Sequence, residues 1–285
     1  MTGFLLSISV LFLYKKANAN TKKFAVNTIH LDDHDQNRDV SAPSVNILHL
    51  SDLHLENLSV TPDDLYEKFK DESFDLIALT GDFLDRKRSI PKLVPYLEAL
   101  NRLDAKYGMY AVFGNHDYVL RENNFSQLKE LLNAHGCRTM QNESATITVD
   151  GCPLHIIGVD DYSTGRSNLK QAFREAGDGF RLVLTHDPNV VLDMEDYHYD
   201  YLLSGHFHGG QIHWPKPYHL VKMGKLVRME MIKGLNHYNG KRFYISEGLG
   251  QTGVNIRVGS RPETTCHRFS LSGFTGDTET KETAL

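Results

Sequence analysis

YAVFGNHD, residues 110–117, begins as an unbroken apolar run and ends in an amide, an imidazole and a carboxylate. The run has the length and composition of a strand buried on both faces, and the polar cluster falls where such a strand would stop. Four other stretches follow the same plan: LHLSDLH (48–54), IALTGD (77–82), LVLTHD (182–187) and LLSGHFH (202–208). In open α/β sheets, ligands bind in the crevice beyond the carboxyl ends of the strands. Five such strand tops would bring Asp52, His54, Asp82, Asn115, His116, Asp117, His186, Asp187, His206 and His208 to one place. Carboxylate, imidazole and amide groups gathered in this way make a site for divalent metals, with two ions the natural occupancy. One cluster alone reads as an ordinary loop end, whereas five, each behind a strand, do not.

The spacing inside the clusters adds detail. Asp52 and His54, two apart at a strand end, face the same way and can reach one ion. Asp82 follows Gly81 on a tight turn, and its two carboxylate oxygens can bridge cations at the roughly 3.5–4 Å separation of two-metal sites. Asn115 offers a neutral oxygen, while the adjacent His116 can point the other way, toward substrate. Asp117 is expected to fix the tautomer and orientation of that ring. His206 and His208 place two imidazoles on one side of a short extended segment, and His186 ends the fourth strand. Mixed oxygen and nitrogen ligands without thiolates suit Mn, Fe, Zn or Co, with manganese the first expectation.

Composition narrows the class. The chain has 285 residues, 40% of them hydrophobic and 24% charged, with a net charge of −5. Nothing in that balance suggests a nucleic-acid partner, which usually shows itself as a basic face. Three cysteines (Cys137, Cys152 and Cys266), an odd count without CxxC spacing, argue against a disulfide framework and a thiolate zinc site.

The N-terminal segment, residues 1–19, carries an apolar run from Phe4 to Tyr14, followed by Lys15 and Lys16. It falls short of the roughly 17–25 residues of a spanning helix. The leading reading is a membrane anchor, with the lysines favouring a catalytic domain on the cytoplasmic side. A signal peptide, suggested by Ala17–Asn18–Ala19, and a packed terminal strand are the alternatives. Residues 20–44 form a polar linker or edge strand containing an acidic, His-bearing tract at 30–35. A compact domain is expected over 45–272, followed by a disordered tail over 273–285 rich in Thr, Glu, Asp and Gly.

Within that domain, helices are expected over Pro62–Lys70, capped by Thr61, over Ile90–Leu103, over Phe125–His135 and over Asn168–Ala176. Pro95 in the second predicts a kink or a later start. Ala145–Val149 and Leu154–Val159 flank the turn signal Asp150–Gly151 and form an antiparallel pair. Asp160–Asp161 reads as a hairpin-edge feature. Arg242–Ser246 and Cys266–Leu271 are further strands. Mixed strands with helices between them imply an α/β sandwich, helices outside and sheet within. Gly209–Pro215 follows the last ligands, with His213 and Trp214 either walling a pocket or simply packing. Gly248–Gly253 lacks the spacing of a phosphate loop and reads as a turn beside the site.

The order D-x-H, G-D, G-N-H-D, H, G-H-x-H resembles the calcineurin-like metallophosphoesterases over about Val45 to Leu271. The wording SDLHLE, TGDFLD, FGNHDY, THDP and SGHFHGGQIHWP is similar to a bacterial branch that includes membrane-associated phosphodiesterases and a UDP-2,3-diacylglucosamine pyrophosphatase. The resemblance implies a four-layer α/β/β/α sandwich of mixed sheets. It also implies one metal on Asp52, His54, Asp82 and His208, and a second on Asp82, Asn115, His186 and His206, with Asp82 bridging. His116 would then face the substrate. The function implied is hydrolysis of a phosphodiester or pyrophosphate by metal-activated water, in a lipid-linked or cell-envelope precursor. A phosphomonoesterase and a non-catalytic scaffold of the same fold are the alternatives.

Overall fold

Residues Ser44–Leu50 form a strand buried on both faces: Leu48 and Leu50 point into one apolar layer, Val45 and Ile47 into another. That alternation is the period of two of a strand with no wet face, and it places the strand between layers. The structure, a computed structural model, describes residues 2–31 and 43–271. In chain order the elements are α1 (Thr2–Ala19), β1 (Ala25–His30), β2 (Ser44–Leu50), α2 (Pro62–Phe69), β3 (Leu76–Thr80), α3 (Val94–Asn101), β4 (Met109–Val112), α4 (Glu122–Ala134), β5 (Cys137–Thr139) and β6 (Glu143–Val149). There follow β7 (Cys152–Gly158), α5 (Leu169–Ala172), β8 (Phe180–Leu184), β9 (Tyr201–Ser204), α6 (Lys225–Arg228), β10 (Gly234–Tyr238), β11 (Lys241–Ile245) and β12 (Glu263–Ser270).

Two six-stranded sheets result, ordered β1-β12-β2-β3-β4-β5 and β10-β11-β9-β8-β7-β6. In the first, β2 to β5 are parallel and β12 runs against β2; in the second, β11, β9, β8 and β7 are parallel. Ile47, Leu76, Ala78 and Val112 meet Leu154, Ile156, Leu182 and Leu203 between the sheets. The outer face of the first sheet is covered by α2, α3 and α4 through Leu65, Phe69, Leu97, Leu100, Leu128 and Leu132. The outer face of the second is covered by short helical turns carrying Ala172, Val190, Val191 and Leu226. This is the expected α/β sandwich of two mixed sheets with helices outside. Truncating one leucine of these layers to alanine would cost about 2–5 kcal/mol.

Local chemistry explains most element boundaries. Thr61 and Asp64 make a reciprocal capping box ahead of Pro62, starting α2 where expected. The expected helix over Ile90–Leu103 is instead a 3-10 stretch, Lys87–Leu93, followed by α3. Pro91 and Pro95 each remove a donor, so regular α hydrogen bonding starts only at Val94. α4 begins at Glu122, ahead of the expected Phe125, and the helix expected over Asn168–Ala176 is a single turn capped by the Asn168 side chain. Asp150 and Gly151 both take positive φ and close the β6–β7 hairpin. Asp160 and Asp161 are buried at the top of β7, which has neighbours on both sides, and so do not mark a hairpin edge.

Residues 25–30, within the stretch read as linker or edge strand, form β1 at the edge of the first sheet, parallel to β12. The N-terminal segment is helical rather than a terminal strand, and among the described residues no helix is long and apolar enough to cross a membrane. The acidic part of the 30–35 tract, from Asp32 on, and the tail over 273–285 lie outside the described residues.

Candidate metal centre

All five strand tops open on one cleft between the two sheets. β2 leads to Asp52 and His54, β3 to Asp82, β4 to Asn115 and His116, β8 to His186, and β9 to His206 and His208. Asp52, His54, Asp82, His206 and His208 all have positive φ, between 39° and 76°. Left-handed backbone at non-glycine residues costs of order 1–3 kcal/mol each and concentrates at functional sites. The chain holds this strain with hydrogen bonds between strand tops: the Asp52 N–H donates to Gly81 O (3.0 Å) and the His54 N–H to Asp82 O (3.0 Å).

Two glycines let the tops close in. A Cβ on Gly114 would stand 2.2 Å from Asp82 Oδ1, and one on Gly205 would stand 2.2 Å from Asp52 Oδ2. Neither position could hold a larger residue without displacing the carboxylate beside it.

Asp82 is the centre of the arrangement. Its Oδ1 accepts the His116 N–H (2.8 Å), and its Oδ2 lies 3.1 Å from His186 Nε2 and 3.5 Å from His54 Nε2. Burial acts to raise its pKa, but His186, then His54 and His116, outweigh burial and hold it well below the usual carboxylate range. The reciprocal effect holds His186 well above the usual histidine range despite its burial. His186 Nδ1 donates to Thr80 O (2.8 Å), so Nε2 is the atom turned into the cluster. His206 Nδ1 lies 3.1 Å from that Nε2, and His54 Nε2 lies 3.2 Å from His208 Nε2. Burial, foremost, lowers the pKa of His206 and pushes that of His208 well down, which keeps both imidazoles neutral with lone pairs to offer.

These residues fall into overlapping sets whose ligating atoms lie within 4.8 Å of one another: Asp52, His54 and His208; His54, Asp82 and His116; Asp82, His186 and His206. Asn115 Oδ1 is buried and finds no donor among the described residues. An amide oxygen left so costs about 1–3 kcal/mol unless a cation or water satisfies it. The donor set therefore fits divalent ions, with Asp82 shared between the sets on either side.

His116 differs from the other cluster histidines in standing partly open to the cleft mouth, at 31% side-chain exposure. Its expected partner was Asp117, yet Asp117 turns both oxygens to backbone N–H groups. It accepts from Asp82, Phe83 and Gly114 (each 2.9 Å) and from Leu84 (3.4 Å), clamping the β3 top to the β4 top. The partner of the His116 ring is Asp85, whose Oδ1 lies 2.9 Å from His116 Nδ1 and 3.1 Å from His54 Nδ1. Burial lowers the pKa of His116, but the hydrogen bond to Asp85, then the Asp82 charge, push it up to about 9. Asp85 is itself held by Glu56, which accepts the N–H groups of Asp85 (3.1 Å) and Arg86 (3.0 Å). Sequence reading missed Asp85; its signal was the carboxylate three residues beyond Asp82 in TGDFLD.

Arg257 was also missed. It is fully buried, and its guanidinium donates to the carbonyls of His208 (2.8 Å), Glu247 (2.8 Å), Gly248 (3.0 Å) and Gly250 (2.7 Å). It thus ties the turn carrying His208 to the turn that packs on Asp52. Asp187 accepts from the backbone and side chain of Asn189 and caps the turn after His186, outside the cluster. Phe207, Gln211, Leu220, Met223 and Thr252 complete the cleft wall. His213 hydrogen-bonds Gly209 O (3.2 Å), while Trp214 stands 76% exposed and packs on no core.

Comparison with known proteins agrees with this geometry. Residues 45–210 match the model of the calcineurin-like phosphoesterase family. The metallophosphoesterase YkoQ of Bacillus subtilis (strain 168) is 64% identical over 94% of this chain and its own full length. The phosphodiesterase YaeI of Escherichia coli (strain K12) is 29% identical over 80% of this chain and 83% of its own. The UDP-2,3-diacylglucosamine pyrophosphatase LpxG of Chlamydia trachomatis is 27% identical over 76% of this chain and 81% of its own. A cleft of strand-top histidines and carboxylates, matched by a family model over more than half of its length, makes this chain a metal-dependent enzyme of the calcineurin-like phosphoesterase family.

Proposed function

We propose that the chain hydrolyses a phosphodiester or pyrophosphate bond at a centre of two divalent ions. One is held by Asp52, His54, Asp82 and His208, the other by Asp82, Asn115, His186 and His206. The observation that carries this reading is the shared position of Asp82 between two histidine sets, with the unpartnered Asn115 oxygen lining the same cleft. Manganese is the first ion to test, then iron, zinc and cobalt. Bound ions of this kind supply an activated water and offset charge on phosphoryl oxygens.

The chain's own residues supply the rest. His116, raised toward the imidazolium by Asp85, donates a hydrogen bond or a proton to the leaving oxygen. Asp85 holds that ring at Nδ1 so that Nε2 faces the cleft. Asp117 acts through the backbone, fixing Asp82 and Gly114. The phosphoesterase domain is built on residues 45–272, with the edge strand β1 from the 20–44 stretch joining its first sheet, residues 1–19 ahead of it and residues 273–285 after it.

A lipid-linked or cell-envelope precursor is the substrate class we favour, because YaeI and LpxG carry the names of a phosphodiesterase and a nucleotide-lipid pyrophosphatase. Residues 4–14 would hold the catalytic domain at a membrane, on its cytoplasmic side. A scaffold role finds no support in a cleft where every proposed ligand and His116 are present.

The test compares hydrolysis of bis-p-nitrophenyl phosphate and p-nitrophenyl phosphate in manganese. Wild type should prefer the diester, and His116→Ala should lose about 10²- to 10⁴-fold in kcat with unchanged metal content. A preference for the monoester would move the assignment to a phosphomonoesterase, and an undiminished His116→Ala rate would remove His116 from the chemistry.

A further inference from the structure

An exposed apolar surface lies beside the metal cleft. On α1, Leu11, Phe12, Leu13 and Tyr14 are 54%, 65%, 63% and 47% exposed. Four consecutive helical positions point in four directions about 100° apart, so this part of α1 has no polar side to turn to water. The helix is nevertheless fixed at its far end. Ala17 is buried, with its carbonyl accepting the Arg257 N–H (3.0 Å); Asn18 donates to Asn255 O (2.7 Å), and Asn20 to Arg257 O (2.9 Å).

The strip 254–258 that receives α1 is bound on its other side to the cleft rim. Gln211 donates to Val254 O (3.1 Å) and accepts from the Val258 N–H (2.9 Å), the His213 N–H donates to Val258 O (2.7 Å), and Ile212 pairs with Val258. Along this rim Ile212, Trp214 and Val254 are 41%, 76% and 52% exposed, while Gln211 and Thr252 beside them line the cleft itself. The α1 base, the apolar rim and the mouth of the metal cleft are therefore successive parts of one continuous surface.

Charge and length identify what covers it. Exposed Lys15, Lys16, Lys22 and Lys23 surround the α1 base, and exposed Lys216 follows the rim, in a chain whose net charge is −5. The apolar run Phe4–Tyr14 reaches about 16 Å as helix, one leaflet of a hydrocarbon core roughly 30 Å thick. Aromatic side chains followed by lysines are the arrangement that settles at the headgroup level.

We propose that α1 and the Ile212–Trp214–Val254 rim form a single docking surface for an anionic phospholipid bilayer, with α1 entering one leaflet and the metal cleft facing the headgroups. The docking deepens the membrane placement of residues 4–14 proposed above, and the nature of the ester cleaved rests on the hydrolase reading.

The test is co-sedimentation of the full chain with vesicles of phosphatidylglycerol and phosphatidylethanolamine, or of phosphatidylcholine alone, read beside bis-p-nitrophenyl phosphate hydrolysis in solution. The full chain should pellet with the anionic vesicles and several-fold less with phosphatidylcholine. Leu11→Asp/Phe12→Asp should weaken partitioning about ten-fold or more. Lys15→Glu/Lys16→Glu should weaken it about five-fold per charge on anionic vesicles only. Trp214→Ala should weaken it less than the α1 variant, and all three should keep wild-type hydrolysis. Wild type remaining in the supernatant with both vesicle types would overturn the proposal. So would a lipid-free dimer abolished by Leu11→Asp/Phe12→Asp, which would make a second copy the occupant. Vesicle binding by a protein without hydrolysis would reject the diesterase reading and leave the docking surface intact.

Discussion

His116 and Asp85 illustrate how much of the chemistry lies in single contacts. The His116 ring stands at the cleft mouth with its Nδ1 on Asp85, and the same carboxylate oxygen reaches His54 Nδ1. Removing the negative charge while keeping the shape, Asp85→Asn, should lower kcat by about 10- to 100-fold at saturating metal, with a much smaller change in KM. Steady-state kinetics on bis-p-nitrophenyl phosphate decides it; an unchanged kcat would show that Asp85 does not position the ring. Residue types and spacing were enough to propose Asp52, His54, Asp82, Asn115, His116, His186, His206 and His208 as cleft residues. The partner of His116 was not readable in the same way. Asp117 adjoins it in sequence, but its carboxylate is taken by backbone N–H groups, and no pattern of side chains records where backbone donors point. Asp85 becomes a neighbour of His116 only once the β3 and β4 tops lie side by side.

Among the elements, the strand tops form a platform, and the turns behind them keep it in shape. Arg257 joins four carbonyls from the 208 turn and the 247–250 turn, and burial lowers its pKa to about 10 without discharging it at neutral pH. Replacing it with methionine leaves buried acceptors without donors, and should destabilise the fold by about 3 kcal/mol. Because His208 and the Gly248 turn against Asp52 both hang on it, Arg257→Lys should weaken manganese affinity about ten-fold even where folding is retained. Urea unfolding reads the first effect and calorimetric metal titration the second; wild-type affinity in Arg257→Lys would reduce the arginine to a purely structural role. The buried strands β2, β3, β8 and β9 were legible because unbroken apolar runs ended at polar clusters. β5, three residues long, and β10, with an intermediate and exposed pattern, carry no such signal. Pro95 was legible as an interruption, but the 3-10 stretch ahead of it, which contains Pro91, was not, because proline alone does not choose between a kink and a tighter helix.

At the scale of the whole molecule, two sheets face each other across a layer that is apolar at its centre and polar toward β12 and β11. Glu263 sits in that polar part, accepting from Tyr244 (3.1 Å), Asn27 (2.7 Å) and the Glu247 N–H (2.9 Å), and burial pushes its pKa up to about 7 from 4.5. A folded-state pKa above the unfolded one means the folded chain holds the proton more tightly. The contribution is thus fully present below pH 4.5 and lost as pH rises toward 7. Glu263→Gln, which mimics the protonated form, should flatten that slope and gain on the order of 3 kcal/mol relative to wild type at pH 7.5, and nothing at pH 4.5. Urea unfolding at the two pH values checks it, and parallel curves for both proteins would assign the slope elsewhere. The sandwich itself was legible from alternating strands and helices. The edge strand β1 was not separable from a linker, because its pairing with β12 joins residues more than 200 positions apart. The central claim, a phosphoesterase whose two ions share Asp82, is tested most directly by titrating manganese into metal-stripped protein while following bis-p-nitrophenyl phosphate hydrolysis. Activity should rise from near zero and saturate at two equivalents per chain, and Asp82→Asn should stay near zero at any manganese concentration. Saturation at one equivalent, or equal rates with and without Asp82, would contradict it.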